Sequence, residues 1–176
     1  DCVRESLAVA RALFARYLQA HAEGDKETAK RYKLYAVRPD TAGNMRDVSV
    51  EPTGDREHDC GVTPRLVFNI RAALDNAHLA WHDLPEPARE LAQQWCREVK
   101  IVVTGGFDAA RIAKFESSQV PADIYGVGSG LLENGRGSTT DYTGDVVRVK
   151  IGGEWQDLAK VGRKPGVNPE LKPVRG

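Results

Sequence analysis

Cysteine is scarce: only Cys2, Cys60 and Cys96 stand in 176 residues. An odd number at wide spacing argues against a disulfide framework or a zinc knuckle, and fits reduced thiols in a cytoplasmic protein. No apolar run approaches the roughly 20 residues that a bilayer-crossing helix needs, and the opening residues do not read as a secretory signal. Neither sign of charge prevails. The 25 basic and 25 acidic side chains cancel to a formal net charge of zero, which removes the electrostatic grounds for binding nucleic acid or a membrane surface. An initiator Met is missing too, since the chain opens at Asp1 directly in a helical pattern. The expectation is a cut or processed end within a longer protein. What is present is enough for one ordinary domain, because 41% hydrophobic residues can bury a core.

Helical spacing of Leu7, Ala10, Phe14, Tyr17 and Leu18 predicts a helix over 3–22. Gly24 and Asp25 interrupt it, and a charged stretch runs to Lys33. A short buried strand is predicted over 34–38, leaving through the turn-forming Pro39-Asp-Thr-Ala-Gly-Asn44. Residues 45–61 are polar and irregular and read as a surface loop. Thr63-Pro64 has the chemistry of a helix start, followed by a stripe of Leu66, Val67, Ile70, Ala73 and Leu74. A second helix over 86–98 carries Leu91, Trp95 and Val99 towards a core. After residue 134 the pattern becomes alternation, with Gly152-Gly153 between the runs 145–151 and 154–159, which predicts a hairpin. The segment 161–176, rich in Pro, Gly, Lys and Arg, should be exposed. Two regions follow: 1–134 with a parallel α/β pattern, and 135–176 with the hairpin and a basic tail.

Two apolar runs end in glycine turns: Lys100-Ile-Val-Val-Thr-Gly-Gly-Phe-Asp108 and Asp123-Ile-Tyr-Gly-Val-Gly-Ser-Gly130. A helix with Ile112 and Phe115 on one face is predicted between them, over 109–115. Strand, helix, strand at this spacing is a parallel crossover, which opens both turns at the C-terminal ends of neighbouring strands. Bare backbone N–H groups there can cup an anion, commonly a phosphate. The glycines of 126–130 also suit tight packing between strand and helix. Three such units cannot close a barrel of about eight strands. The expected fold is therefore α/β, either a small open sheet or the C-terminal portion of a barrel.

Val37-Arg-Pro-Asp-Thr-Ala-Gly-Asn44, Val103-Thr-Gly-Gly-Phe-Asp108 and Tyr125-Gly-Val-Gly-Ser-Gly-Leu-Leu132 resemble, in order and spacing, three successive strand-end motifs of the nicotinate phosphoribosyltransferases and their nicotinamide-using relatives. Leu158-Ala-Lys160 and the basic Gly162-Arg-Lys-Pro-Gly166 resemble that family's C-terminal segment. The resemblance spans nearly the whole chain. It implies the C-terminal portion of an open, incomplete (β/α) barrel of the type II phosphoribosyltransferase kind, followed by an antiparallel hairpin. It also implies the joining of nicotinate to phosphoribosyl pyrophosphate with Mg²⁺, giving nicotinate mononucleotide for NAD biosynthesis, with ATP as co-substrate in many members and a homodimer completing the site.

Ribosyl transfer develops positive charge on the sugar, so a carboxylate against the ribose hydroxyls both positions and stabilises it. Asp40 is the candidate, and Arg38, two residues earlier, falls on the same side if strand geometry persists. The resemblance puts Arg38 by the pyridine ring, where a planar cation can stack or bind a carboxylate. It puts Thr104, Gly105, Gly106, Gly128 and Ser129 around the 5′-phosphate. Asp40 and Arg38 read equally as a salt-bridged turn. His78 and His82 have the four-residue spacing of metal ligands, but no third ligand follows in a matching context, so no metal site is expected. Arg56-Glu-His-Asp-Cys60 reads as a solvated loop, Trp81, Trp95 and Trp155 as core or hairpin packing, and Arg163-Lys164 as solvated.

The catalytic histidine, the pyrophosphate-binding basic residues and the aromatic stacked on nicotinate all lie upstream in relatives. His21, His58, His78 and His82 do not stand in the phosphohistidine motif. The expectation is thus a chain inactive or nearly so alone, within an enzyme. A nicotinamide- or quinolinate-using enzyme and a non-catalytic phosphate-binding fragment are the alternatives.

Overall fold

A computed structural model of the chain describes residues 1–132 and 146–158. The chain divides into two compact units, Asp1–Leu132 and Glu133–Gly176. The first unit runs α1 (Cys2–Ala22), α2 (Lys26–Arg31), β1 (Ala36–Val37), α3 (Arg56–Asp59), α4 (Pro64–Asp75), α5 (Ala77–Ala80), α6 (Glu86–Arg97), β2 (Lys100–Val103), α7 (Ala109–Ser117), β3 (Ile124–Tyr125) and α8 (Ser129–Leu132). Local signals start its helices. Asp1, Asp25, Thr63 and Asp108 each accept a hydrogen bond from the N–H three residues on, which pairs a donor that the first helical turn leaves free.

The buried side of α1 brings Phe14 to the centre of the unit. Its ring stacks on Trp81 (centroids 5.6 Å apart) and meets Trp95 edge-on, also at 5.6 Å. The stripe Leu66, Val67, Ile70 and Leu74 is buried, whereas Ala73 is only half-buried. From α6 come Ala92, Trp95 and Cys96, and burial pushes the Cys96 thiol up to about 12, so it packs as a small apolar group.

Three strands form a parallel sheet in the order β1-β2-β3. Ala36 pairs with Lys100 and Val37 with Ile101, while Val102 pairs with Ile124 and Val103 with Tyr125. Ile101 and Val103, two apart, are both buried, as alternation on a pleated strand requires. Below the glycine turn, Phe107, Phe115 and Tyr125 form an aromatic cluster, with Phe107 and Phe115 edge-to-face at 4.9 Å. The architecture is mixed helix and strand with a small parallel sheet and a separate antiparallel hairpin.

Residues 45–61 differ from the expected surface loop. Arg46 bridges Cys60, the Gly61 N–H donates to the Met45 carbonyl at 2.9 Å, and residues 56–59 form α3. Val50, Asp47 and Asp59 are buried. Asp59 collects the Thr53 N–H and hydroxyl, the Gly54 N–H and Arg65 (2.7 Å). Asp47 accepts from the Cys2 and Ser49 N–H groups and the Ser49 hydroxyl. Carboxylates, rather than an apolar repeat, organise this segment, and so its periodicity gave no sign of order.

In the second unit, β4 (Arg148–Ile151) and β5 (Glu154–Asp157) pair antiparallel around Gly152 and Gly153, both at positive φ. That two-residue turn matches the twist of the strands it joins. Trp155, opposite Lys150, is exposed rather than packed. The expected boundary at 134/135, residues 145 and 159 of the alternating runs, Lys160 and the basic tail lie outside the described residues. Among the described residues no helix is long and apolar enough to cross a membrane.

Candidate functional site

Parallel strands deliver their C-terminal ends to one edge of the sheet. Arg38 leaves β1 there, Thr104 leaves β2 and Gly126 leaves β3. The Arg38 guanidinium forks across this edge. One terminal nitrogen donates to the Thr104 hydroxyl at 3.0 Å and the other to the Asp40 carboxylate at 3.2 Å. Both side chains are open to water, at 51% for Arg38 and 75% for Asp40. An ion pair so exposed adds on the order of 0–1 kcal/mol. Its consequence is orientation. β1 spans only two residues, so Arg38 and Asp40 meet beyond the strand, in the irregular connection around buried Pro39, rather than through continued pleating.

The connection bearing Asp40 is held from behind. Gly61 sits at φ +82°, and a Cβ there would lie 3.3 Å from the Gly43 Cα, so two backbones meet where side chains would hold them apart. The Cys2 thiol lies 3.5 Å from the Thr41 hydroxyl.

Gly105 and Gly106 both take positive φ, +100° and +72°, a region that costs other L-residues energy. Among the described residues, no protein acceptor meets the N–H of either glycine. The start of α7 is different. The Asp108 carboxylate accepts from the Arg111 N–H at 2.8 Å, so an anion at this edge would meet the glycine amides rather than the helix end. The Arg111 side chain donates to the Gly105 carbonyl and, at 2.8 Å, to the Val62 carbonyl. Burial lowers the Arg111 pKa, partly offset by Asp108.

The third loop packs against the second. The Gly126 N–H donates to the Val103 carbonyl at 2.8 Å, and a Cβ at Gly126 would lie 2.7 Å from the Thr104 methyl. A Cβ at Gly130 would lie 3.2 Å from the Phe107 carbonyl. Gly128 is open, with nothing within 4 Å of a Cβ, and the Ser129 backbone begins α8. The structure thus joins Arg38, Asp40 and Thr104 by direct hydrogen bonds, with Gly105 and Gly106 following Thr104. Gly128 and Ser129 lie on the adjacent loop. Sequence reasoning missed Arg111 and the close fit of Gly126 on Thr104. The tight packing expected of the glycines of 126–130 was the signal near Gly126, and it pointed to a helix rather than to Thr104.

The histidines stay apart from this edge's hydrogen bonds. His58 pairs with Asp55 at 2.7 Å, and the His78 Nδ1 is buried without a partner among the described residues. Among those residues, no group of three His, Cys, Asp or Glu is arranged to hold a metal ion.

Comparison with family models, curated proteins and solved structures finds no match.

Proposed function

We propose that this chain carries the ribose-phosphate half of a nicotinate phosphoribosyltransferase site, within the C-terminal portion of an open (β/α) barrel. The observation that carries the reading is the Arg38 fork, which joins the Asp40 carboxylate to the Thr104 hydroxyl beside two glycines whose N–H groups meet no protein acceptor among the described residues. Those are the groups a phosphorylated pentose needs: an acid for its hydroxyls and donors for its terminal phosphate.

In the proposed reaction the pyridine nitrogen of nicotinate bonds to C1′ as the C1′–O bond to pyrophosphate breaks, and the leaving oxygen keeps the electron pair. Positive charge grows on the sugar between these events. Asp40 engages Arg38 through one oxygen, which leaves the other for ribose hydroxyls and places negative charge near the developing cation. Thr104 accepts from Arg38, so its single hydroxyl proton is available to a phosphate oxygen. The Gly105 and Gly106 amides add donors with no Cβ to block approach.

Mg²⁺ fits as an ion borne by the substrate. It favours waters, substrate phosphates and one or two carboxylates, and among the described residues the edge offers the open carboxylate of Asp40 rather than a cage of three ligands. When bound with the diphosphate, it supplies charge neutralisation for the leaving group. ATP as co-substrate and a homodimer belong to the same proposal and rest on the motif resemblance, whereas a cytoplasmic location rests on the three scattered cysteines.

The test is turnover by the protein that contains this chain, with phosphoribosyl pyrophosphate and nicotinate, nicotinamide and quinolinate in competition. Nicotinate mononucleotide should form, and Asp40→Ala should abolish it. No nucleotide product, or equal turnover by Asp40→Ala, overturns the proposal.

A further inference from the structure

We infer that Arg111 is a positioning residue that sets the direction of the Gly105–Gly106 peptide, so that the Gly106 N–H is held towards an anionic ligand. The ligand half of this inference rests on the phosphate reading above, whereas the conformational half does not. One guanidinium donates through separate nitrogens to carbonyls from two different connections, that of Gly105 after β2 and that of Val62 before α4. It also lies over the Phe107 ring, 4.3 Å from the centroid. Its own N–H is fixed by Asp108. Both ends of the side chain are therefore anchored.

A trans peptide points its C=O and its N–H in opposite directions. With the Gly105 carbonyl turned onto Arg111, the Gly106 N–H must face away from Arg111, on the side where it meets no protein acceptor among the described residues. A Gly–Gly peptide has little conformational preference of its own, because glycine takes either sign of φ with similar ease. The orientation must come from a partner, and among the described residues Arg111 is the side chain bonded to it. Lysine cannot replace it, since a single ammonium lacks the planar fork that spans two carbonyls while stacking on a ring.

The experiment compares wild type with Arg111→Lys and Arg111→Met by ¹⁵N NMR, with ribose 5-phosphate as the probe. Methionine keeps an apolar stem over Phe107, and lysine keeps the charge if methionine fails to fold. In either variant the Gly106 amide should shift and broaden while α4 and α6 amides keep their wild-type positions. Ribose 5-phosphate affinity should fall roughly five- to tenfold, the loss expected for one oriented hydrogen bond. Gly105 and Gly106 amides unchanged in a folded variant overturn the inference. If those amides respond as stated but wild type binds no ribose 5-phosphate, the clamp is supported and the phosphate reading alone fails.

Discussion

Arg38 reaches two acceptors in the connections that follow different strands, and geometry rather than charge makes that contact. A lysine at 38 keeps the positive charge but can no longer serve Thr104 and Asp40 together. Arg38→Lys is therefore predicted to lower turnover by roughly 10²-fold, within the range for losing one fixed electrostatic group, while unfolding free energy changes by less than about 1 kcal/mol because the pair is exposed. Parallel kinetic and urea-denaturation measurements check both halves; an equal loss in each would make the fork structural. Gly126 poses the opposite case. A methyl placed there would lie 2.7 Å from the Thr104 methyl, and Thr104 is tied to Arg38, so little can yield. Gly126→Ala should cost about 1–3 kcal/mol. Thr104→Ser in the same chain removes the opposing methyl, keeps the hydroxyl and should restore most of that loss in thermal melts.

At the scale of elements, the segment between β1 and α4 behaves as a part held together by carboxylates. Burial by itself would raise the Asp59 pKa, yet donors from Thr53 and Gly54 and the charge of Arg65 bring it below its ordinary value of 3.8. A depressed carboxylate pKa stabilises the fold fully above the unfolded value and loses that contribution as pH falls through the folded one. Asp47 is lowered in the same direction, with burial opposing hydrogen bonds from Ser49 and Cys2. Asp59→Asn should therefore be less stable at neutral pH and show a shallower loss of stability below about pH 4. Urea midpoints across that range decide it, and an unaltered acid limb would remove Asp59 from the account. None of this was legible in the sequence, because the partners that order Asp47 and Asp59 include Cys2 and Arg65, which no local pattern links to them. The elements with local signals were legible: the Thr63 cap, the Leu66–Leu74 stripe and the Gly152–Gly153 turn. At the site, Arg38 and Asp40 were visible as neighbours. Their link to Thr104, 66 residues from Arg38, arises only when β1 and β2 pair in register.

At the scale of the molecule, the buried apolar side chains among the described residues run from Ala10 to Val120, and Phe14 packs α1 against Trp81 and against Trp95 of α6. Truncating that fully buried ring by Phe14→Ala should cost about 3–5 kcal/mol, a large share of a marginal domain's stability. Trp81 and Trp95 are buried while Trp155 is exposed, so Trp155→Phe leaves the two core indoles as the fluorescent report on that loss. The same reporters address how far the core extends. A two-stranded hairpin is marginal by itself, and β4 and β5 have four residues each. Stability should therefore reside in the first unit. A chain ending at Leu132 is predicted to unfold in one cooperative transition, with Phe14→Ala lowering its urea midpoint as it does in the full chain. A non-cooperative melt of the shortened chain would mean that side chains after residue 132 complete the core.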